Sequence, residues 1–130
     1  MLKAMNFSKW VFLVAGIYGI LLVGPMYFME EKMGMENPPP VTHPELYYGF
    51  VGLTLAWQIA FLIISTNPER YRLFMIPSIL EKFSYTIALI VLYSYGRIDS
   101  FLMWFAGIDG ILGLLFLVAF LKTSPPEHAA

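Results

Sequence analysis

Long apolar runs separated by short polar stretches divide this chain into four segments. They extend over Lys9 to Met29, Leu46 to Thr66, Leu73 to Tyr95, and Phe101 to Leu121. Each run reaches the roughly 20 residues that a helix needs to cross the hydrocarbon core of a bilayer. The pattern predicts an all-α polytopic membrane protein, an antiparallel four-transmembrane-helix bundle that forms a single membrane domain over residues 1–130.

The first apolar run has one alternative interpretation. Lys3 and Lys9 precede it, and a basic start followed by an apolar stretch is also typical of a secretory signal peptide. The run is long, however, and Gly24-Pro25 stands where a cleavage site with small residues is expected. We therefore interpret the run as a membrane span.

Proline and glycine mark the connections between the spans. Pro38-Pro39-Pro40 predicts a stiff, non-helical segment before the second span. Thr42 and Glu45 have the spacing of a capping box at the start of that span. Asn67 followed by Pro68 predicts a capped start for the third span.

The residues from Gly96 to Ser100 predict a short turn, so the last two helices should form an antiparallel hairpin. Pro25 and Pro77 lie within spans, and we expect each to bend its helix.

The composition excludes several classes of function. The chain is 58% hydrophobic and 13% charged, whereas soluble domains carry about 25% charged residues. A net charge of −1 with no basic run excludes an electrostatic case for a nucleic-acid partner. The absence of cysteine excludes disulfides and thiolate chemistry. Nucleotide, dinucleotide, zincin and nucleophile-elbow motifs are also absent, so we predict no cofactor and no catalytic residues.

Basic residues indicate the orientation. Positive charge accumulates on the cytoplasmic side of membrane proteins. If the N-terminus is cytoplasmic, most basic residues lie on that side, and only Lys32 and Arg97 lie on the other. The cytoplasmic group then consists of Lys3, Lys9, Arg70, Arg72 and Lys122. This distribution predicts that both termini are cytoplasmic.

Three ionisable residues lie deep within spans, where each charge is unfavourable by about 2.5–3.5 kcal/mol. They are Glu81 and Lys82 in the third span and Asp109 in the fourth. Glu81 and Asp109 each lie about 12 Å from the start of their oppositely directed helices. Their levels in a core about 30 Å thick should therefore differ by only about 6 Å.

Other polar residues reach the same depth, namely Gln58 in the second span, Tyr18 in the first, and Tyr85 one turn after Glu81. The sequence therefore predicts one central polar layer to which all four helices contribute. This layer is either a structural ion cluster that fixes helix register or a site that binds a ligand or moves protons. In a third alternative, the Lys82 side chain extends to the inner interface, and the two acids form hydrogen bonds with Gln58 and Tyr85 instead.

Small residues recur at helical spacing on three spans, which favours close helix approach. On the first span these are Ala15, Gly16 and Gly19; on the second, Gly49, Gly52, Ala56 and Ala60; and on the fourth, Ala106, Gly110 and Gly113.

Two further candidate sites lie near the membrane surfaces. His43 and Glu45 are weak metal-ligand candidates, because a metal site needs three or four ligands and His128 lies on the opposite side. The alternative is that Glu45 belongs to the capping box. Arg70 and Arg72 could bind lipid headgroups, with ordinary positive-inside anchoring as the alternative.

A set of short motifs resembles a group of small bacterial four-span membrane proteins. It covers roughly the last two thirds of the chain and comprises His43-Pro44-Glu45, Tyr47-Tyr48-Gly49-Phe50, Asn67-Pro68-Glu69-Arg70-Tyr71-Arg72, Leu80-Glu81-Lys82 and Ile108-Asp109. In general layout the chain is also similar to DoxX-like bundles. The resemblance implies a multi-pass protein of the bacterial inner membrane and implies no particular activity.

These observations favour a small non-enzymatic membrane protein with an association or accessory role in a membrane assembly. Its partners would be the lipid bilayer and another membrane protein or a second copy of the chain. The first alternative is binding or transport of a small lipophilic molecule or a proton-coupled solute through the Glu81, Lys82 and Asp109 layer. The second is a membrane enzyme in which the acids act as proton donors and acceptors.

Overall fold

All regular secondary structure is helical between residues 2 and 126, the part of the chain that the computed structural model describes. Four long helices and one short one follow each other along the chain. They are α1 (Leu2–Val23), α2 (Glu30–Glu36), α3 (Pro44–Thr66), α4 (Met75–Ser94) and α5 (Met103–Lys122). Short 3-10 turns extend α1, α4 and α5 at Gly24–Phe28, Arg72–Phe74 and Ser100–Leu102.

The four long helices, together with these turns, are long and apolar enough to cross a membrane. Large apolar side chains are exposed along all four, as expected when lipid and not water surrounds the bundle. The predicted all-α fold with four candidate spans is confirmed.

The helices are arranged around the bundle in the order α3, α1, α5, α4. α1 packs against α3 and α5, and α4 packs against α5, whereas α3 and α4 approach each other at few positions. The short connection between α3 and α4 predicts close packing of these two helices, and this prediction is wrong, because they meet at few positions. Phe50 and Tyr85 form one of these contacts, with ring centroids 6.1 Å apart.

The apolar core lies in one half of the bundle, near the start of α1 and the end of α5. Its centre is an aromatic cluster in which Phe12 stacks on Phe116 at 4.2 Å, and Phe61 meets Phe116 edge-on at 4.9 Å. Ala15, Ile64, Met75 and Ala119 complete this cluster of buried side chains. We call this half the core half and the opposite half the outer half.

At the core-half surface, polar side chains form hydrogen bonds with the backbone carbonyl groups at the end of α5. The Nε–H of Arg72 donates to the carbonyl oxygens of Thr123 at 2.6 Å and Phe120 at 3.3 Å. The hydroxyls of Ser8 and Thr123 are 2.6 Å apart. Carbonyl groups in the last turn of a helix lack intrahelical partners, and these contacts join α1, α4 and α5 there.

The predicted turn between α4 and α5 is present and begins with a Schellman motif. Gly96 has a φ of 68°, its N–H donates to Tyr93, and the N–H of Arg97 donates to the carbonyl of Leu92. Only glycine adopts this left-handed conformation without steric cost, so Gly96 ends α4 and redirects the chain.

The connections differ from the sequence predictions in detail. The predicted capping box of Thr42 and Glu45 is wrong, because α3 begins after His43 with no side-chain cap. The Asn67 side chain accepts from the N–H of Arg70, so it caps the connecting turn and not α4. Pro77 lies in the first turn of α4, where its missing N–H needs no partner, so the predicted bend is not required.

The segment after α1 holds structure that the sequence pattern did not predict. Pro25 stands in the 3-10 turn at which α1 ends, and α2 then forms with Glu30 and Glu31 in its first turn. Carboxylates at that position are favoured by the helix dipole. The Tyr48 hydroxyl donates to Glu30 at 2.8 Å, which joins α2 to α3.

Candidate functional site

A buried lysine lies between two carboxylates near the middle of the bundle. The Nζ of Lys82 is 3.7 Å from Glu81 Oε2 and 3.7 Å from Asp109 Oδ1. The Lys82 side chain is 4% exposed, whereas those of Glu81 and Asp109 are 20% and 19% exposed. We call these three residues the charged triad.

Local packing positions the triad. Small residues let α5 approach α4 closely, since a Cβ atom on Gly113 would lie 2.9 Å from the Phe83 ring. The Thr86 hydroxyl donates to the Ala106 carbonyl at 3.2 Å and holds the two helices together one turn from Lys82. Asp109 lies between these two contacts along α5.

An aromatic ring of α3 also contacts the triad. The Lys82 Nζ lies 5.2 Å from the centroid of the Phe61 ring, within the range of a cation–π interaction. Sequence analysis did not identify Phe61 as part of this layer. Its position one turn after Gln58 on the same helix is the signal that could have indicated it.

Gln58 belongs to the layer by depth but not by direct contact with the triad. Its side-chain Nε2–H donates to the Thr54 carbonyl of its own helix at 2.9 Å. The side chain packs on Gly19 of α1, where a Cβ atom would overlap it. Its Oε1 is buried and has no hydrogen-bond partner in the described part of the chain.

The two predicted tyrosines lie on helices that form the surroundings of the triad. Tyr85 lies one turn after Glu81 on α4, and Tyr18 belongs to α1, which packs against α5. The structure therefore brings Glu81, Lys82 and Asp109 of the predicted central layer into contact. The alternative in which Lys82 extends to the inner interface is wrong, because its Nζ lies between the two acids.

The candidate metal-ligand and lipid-headgroup residues near the membrane surfaces contact other side chains of the protein. His43 Nδ1 lies 3.3 Å from Glu45 Oε1, and no group of three or more ligand-type side chains suited to a metal occurs within the described residues. His128 lies outside the described residues. The Arg72 guanidinium stacks on Phe120 at 3.8 Å and is bonded to α5, whereas Arg70 is exposed beside Tyr71.

The triad has more acceptors than donors. Glu81 Oε2 is buried and makes no hydrogen bond among residues 2–126, and Lys82 is too far from both acids for a short direct one. A buried acceptor without a donor is unfavourable by roughly 1–3 kcal/mol, and more when charged. The arrangement can therefore hold a positive charge or a hydrogen-bond donor.

The chain was also compared with known proteins. No family model, no curated protein and no solved structure matches it.

Proposed function

We propose that this chain is a multi-pass protein of the bacterial inner membrane with both termini in the cytoplasm. The distribution of basic residues supports the orientation. Lys9, Arg70, Arg72 and Lys122 belong to the core-half end of the bundle, and Lys32 and Arg97 to the opposite end. Positive charge favours the cytoplasmic side, so the core half faces inward.

Cysteine labelling tests this orientation cleanly because the chain has no cysteine of its own. We expect a membrane-impermeant maleimide to label a Ser100→Cys variant in intact cells, since Ser100 is exposed at the outer end. A Ser124→Cys variant should react only after permeabilisation. The unmodified chain is the control, and labelling of the Ser124 variant in intact cells would reverse the orientation.

Association with another membrane helix is the role that the lipid-facing surface of the bundle supports best. The observation that carries this proposal is Gly107, which lies on α5 with no atom within 4 Å of the position a Cβ would take. Packing inside the bundle therefore gives no reason for glycine there, whereas a helix from outside would. Gly49 on α3 is open in the same way.

Gly107 lines a groove of about 390 Å³ between α4 and α5 on the lipid-facing side. Ala106 and Gly110 contribute small side chains to it, and apolar residues such as Ile90 and Leu114 form its walls. Small residues at its base would let a partner helix approach closely. We therefore assign the chain an accessory, non-enzymatic role in which a partner helix, from another protein or a second copy, packs in this groove.

A Gly107→Ile variant should associate less than the native chain. A Cβ atom at Gly107 meets no neighbouring element, and the rest of the side chain occupies the open groove, so folding should be preserved. Overpacking of a well-fitted contact is unfavourable by about 1–3 kcal/mol, which we expect as the loss of association free energy. Co-purification from membranes in mild detergent, with the mass of the complex determined, measures the loss.

The matched control is Ala88→Ile, which places the same side chain at an exposed small residue of α4 outside the groove-lining set. Its complexes should match those of the native chain. Recovery of the native chain only as a monomer with no partner would contradict the accessory role, and an unchanged Gly107 variant would contradict the groove.

Binding of a small lipophilic molecule or a proton-coupled solute in the central layer is the second candidate function. The specific observation that favours it is the pairing of one buried lysine with two acids, in which the buried Glu81 Oε2 makes no hydrogen bond among the described residues. Ionisable residues within spans are unfavourable unless they have a use, and a purely structural pair needs only one acid for one lysine. Detection of bound lipid-like molecules by mass spectrometry after purification tests this function.

A further inference from the structure

The charged triad is not electrically balanced within the spans. It contains two carboxyl groups and one ammonium group, and Lys82 is the only described Lys or Arg away from the ends of the spans. The neighbouring helices contribute Tyr18 and Gln58 to this layer but no cation. With both acids ionised, one negative charge remains uncompensated in a low-dielectric region, where compensation is strongly favoured.

Two buried acceptors in the layer also lack hydrogen-bond donors. Glu81 Oε2 is one, and Gln58 Oε1 is the other, on a residue that is 1% exposed. Gln58 Oε1 lies against Gly19 of α1, apart from the triad, whereas Glu81 Oε2 lies 3.7 Å from the Lys82 Nζ. The triad therefore lacks a positive charge, and a protonated amine supplies one.

Access to the triad differs between its members. About a fifth of the Glu81 and Asp109 side chains is exposed, at 20% and 19%, while Lys82 is closed off at 4%. Tyr85 lies one turn after Glu81 on the same face of α4, and Phe50 of α3 packs near it at 6.1 Å. The Glu81 and Asp109 side chains are thus the accessible part of the triad, although Glu81 Oε2 itself is buried, and aromatic rings that attract cations lie nearby.

The surroundings favour a lipophilic cation over a hydrated metal ion. The cluster of Phe12, Phe61 and Phe116 fills the core half on one side of the layer. The triad offers two carboxyl groups, and no metal-type group of three or more ligands occurs among the described residues. An amine with an apolar tail can reach the carboxyl groups through lipid and keep its tail along the helices.

We propose that the central layer binds the ammonium group of a lipophilic monovalent amine, which balances the second carboxylate of the triad. This inference rests on the second candidate function above and names its ligand class. The ammonium group lies beside the partly exposed side chains of Glu81 and Asp109, and its tail extends into the bilayer.

Decylamine and decan-1-ol are the probes, because they share a chain length and differ in the charged group. The chain in nanodiscs of zwitterionic phosphatidylcholine is titrated with each, and binding is followed by the rise in melting temperature that a ligand of the folded state produces. Decylamine should raise the melting temperature in a concentration-dependent way, and decan-1-ol should not.

Variants locate the site. Glu81→Gln and Asp109→Asn should each bind decylamine about tenfold more weakly, because a charge-assisted hydrogen bond is lost. Lys82→Met should bind it more tightly, since the competing ammonium group is gone, and decylamine should restore stability to that variant. The control is Glu45→Gln, an exposed carboxylate at the outer surface, which should respond like the native chain.

The outcomes separate the inference from the function on which it rests. Equal responses to decylamine and decan-1-ol would overturn the amine assignment and leave a site for neutral lipophilic molecules. No response to either probe would overturn the binding of any lipophilic molecule and leave only the proton-coupled form of the second candidate function. An undiminished response in both carboxamide variants would place the binding elsewhere. If those variants do not fold, the native chain and Lys82→Met still decide between the probes.

Discussion

A Lys82→Met variant should lose about 3–5 kcal/mol of stability, the typical effect of removing one partner from a buried ion pair. Lys82 is 4% exposed and is the one cation beside both Glu81 and Asp109, so its loss leaves two acids facing each other within the membrane. The partial exposure of the acids places the expected value toward the lower end of that range. Thermal unfolding in mild detergent, followed by tryptophan fluorescence and size-exclusion chromatography, measures the loss.

The matched control removes all three charges with apolar residues of similar size, Glu81→Met, Lys82→Met and Asp109→Leu. No charge is then stranded, and replacement of a buried ion cluster by apolar residues is often neutral or stabilising. The triple variant should fold at least as well as Lys82→Met alone and lose any binding or transport phenotype. Native-like stability of the single Lys82→Met variant would contradict the pairing seen here.

A Gly19→Ala variant should also destabilise the bundle, by about 1–3 kcal/mol, through overpacking. A Cβ atom at Gly19 would overlap the side chain of Gln58, which is 1% exposed between α1 and α3. Either Gln58 must leave its place or the two helices must separate. Unfolding in the same detergent system gives the change in stability.

Two further variants show whether the clash itself is responsible. Gly49→Ala adds the same methyl group at a position with no atom within 4 Å, so its stability should be close to native. The double variant Gly19→Ala with Gln58→Ala removes the overlapping side chain and should recover part of the loss. Destabilisation of Gly49→Ala as large as that of Gly19→Ala would contradict packing against Gln58 as the cause, because alanine is the better helix former.

The spans and their approximate ends follow from the sequence because hydrocarbon imposes one simple requirement. Backbone groups in lipid must be bonded within the segment, so a long apolar run has one stable outcome, a helix. Gly96 likewise marks the end of α4 in the sequence, since few residues adopt its conformation. The depth of Glu81, Lys82 and Asp109 also followed from counting residues along helices with a fixed rise.

Other features depend on how the helices pack, and no local pattern determines that. α3 and α4 contact each other at few positions, and this depends on side-chain fit around the whole bundle. Three contacts join residues that are far apart in the chain. Arg72 is hydrogen-bonded to the end of α5, Phe61 lies beside Lys82, and Gln58 packs against Gly19.

The sequence by itself therefore determined that this protein has four candidate membrane spans and which polar residues share a depth, because helix length and rise are set by the backbone and the bilayer. The tertiary structure alone decided which of those residues touch. It joins Lys82 to both acids and leaves acceptors on Glu81 and Gln58 without donors. Rotation of each helix about its axis makes that difference, and only packing against neighbouring helices fixes it.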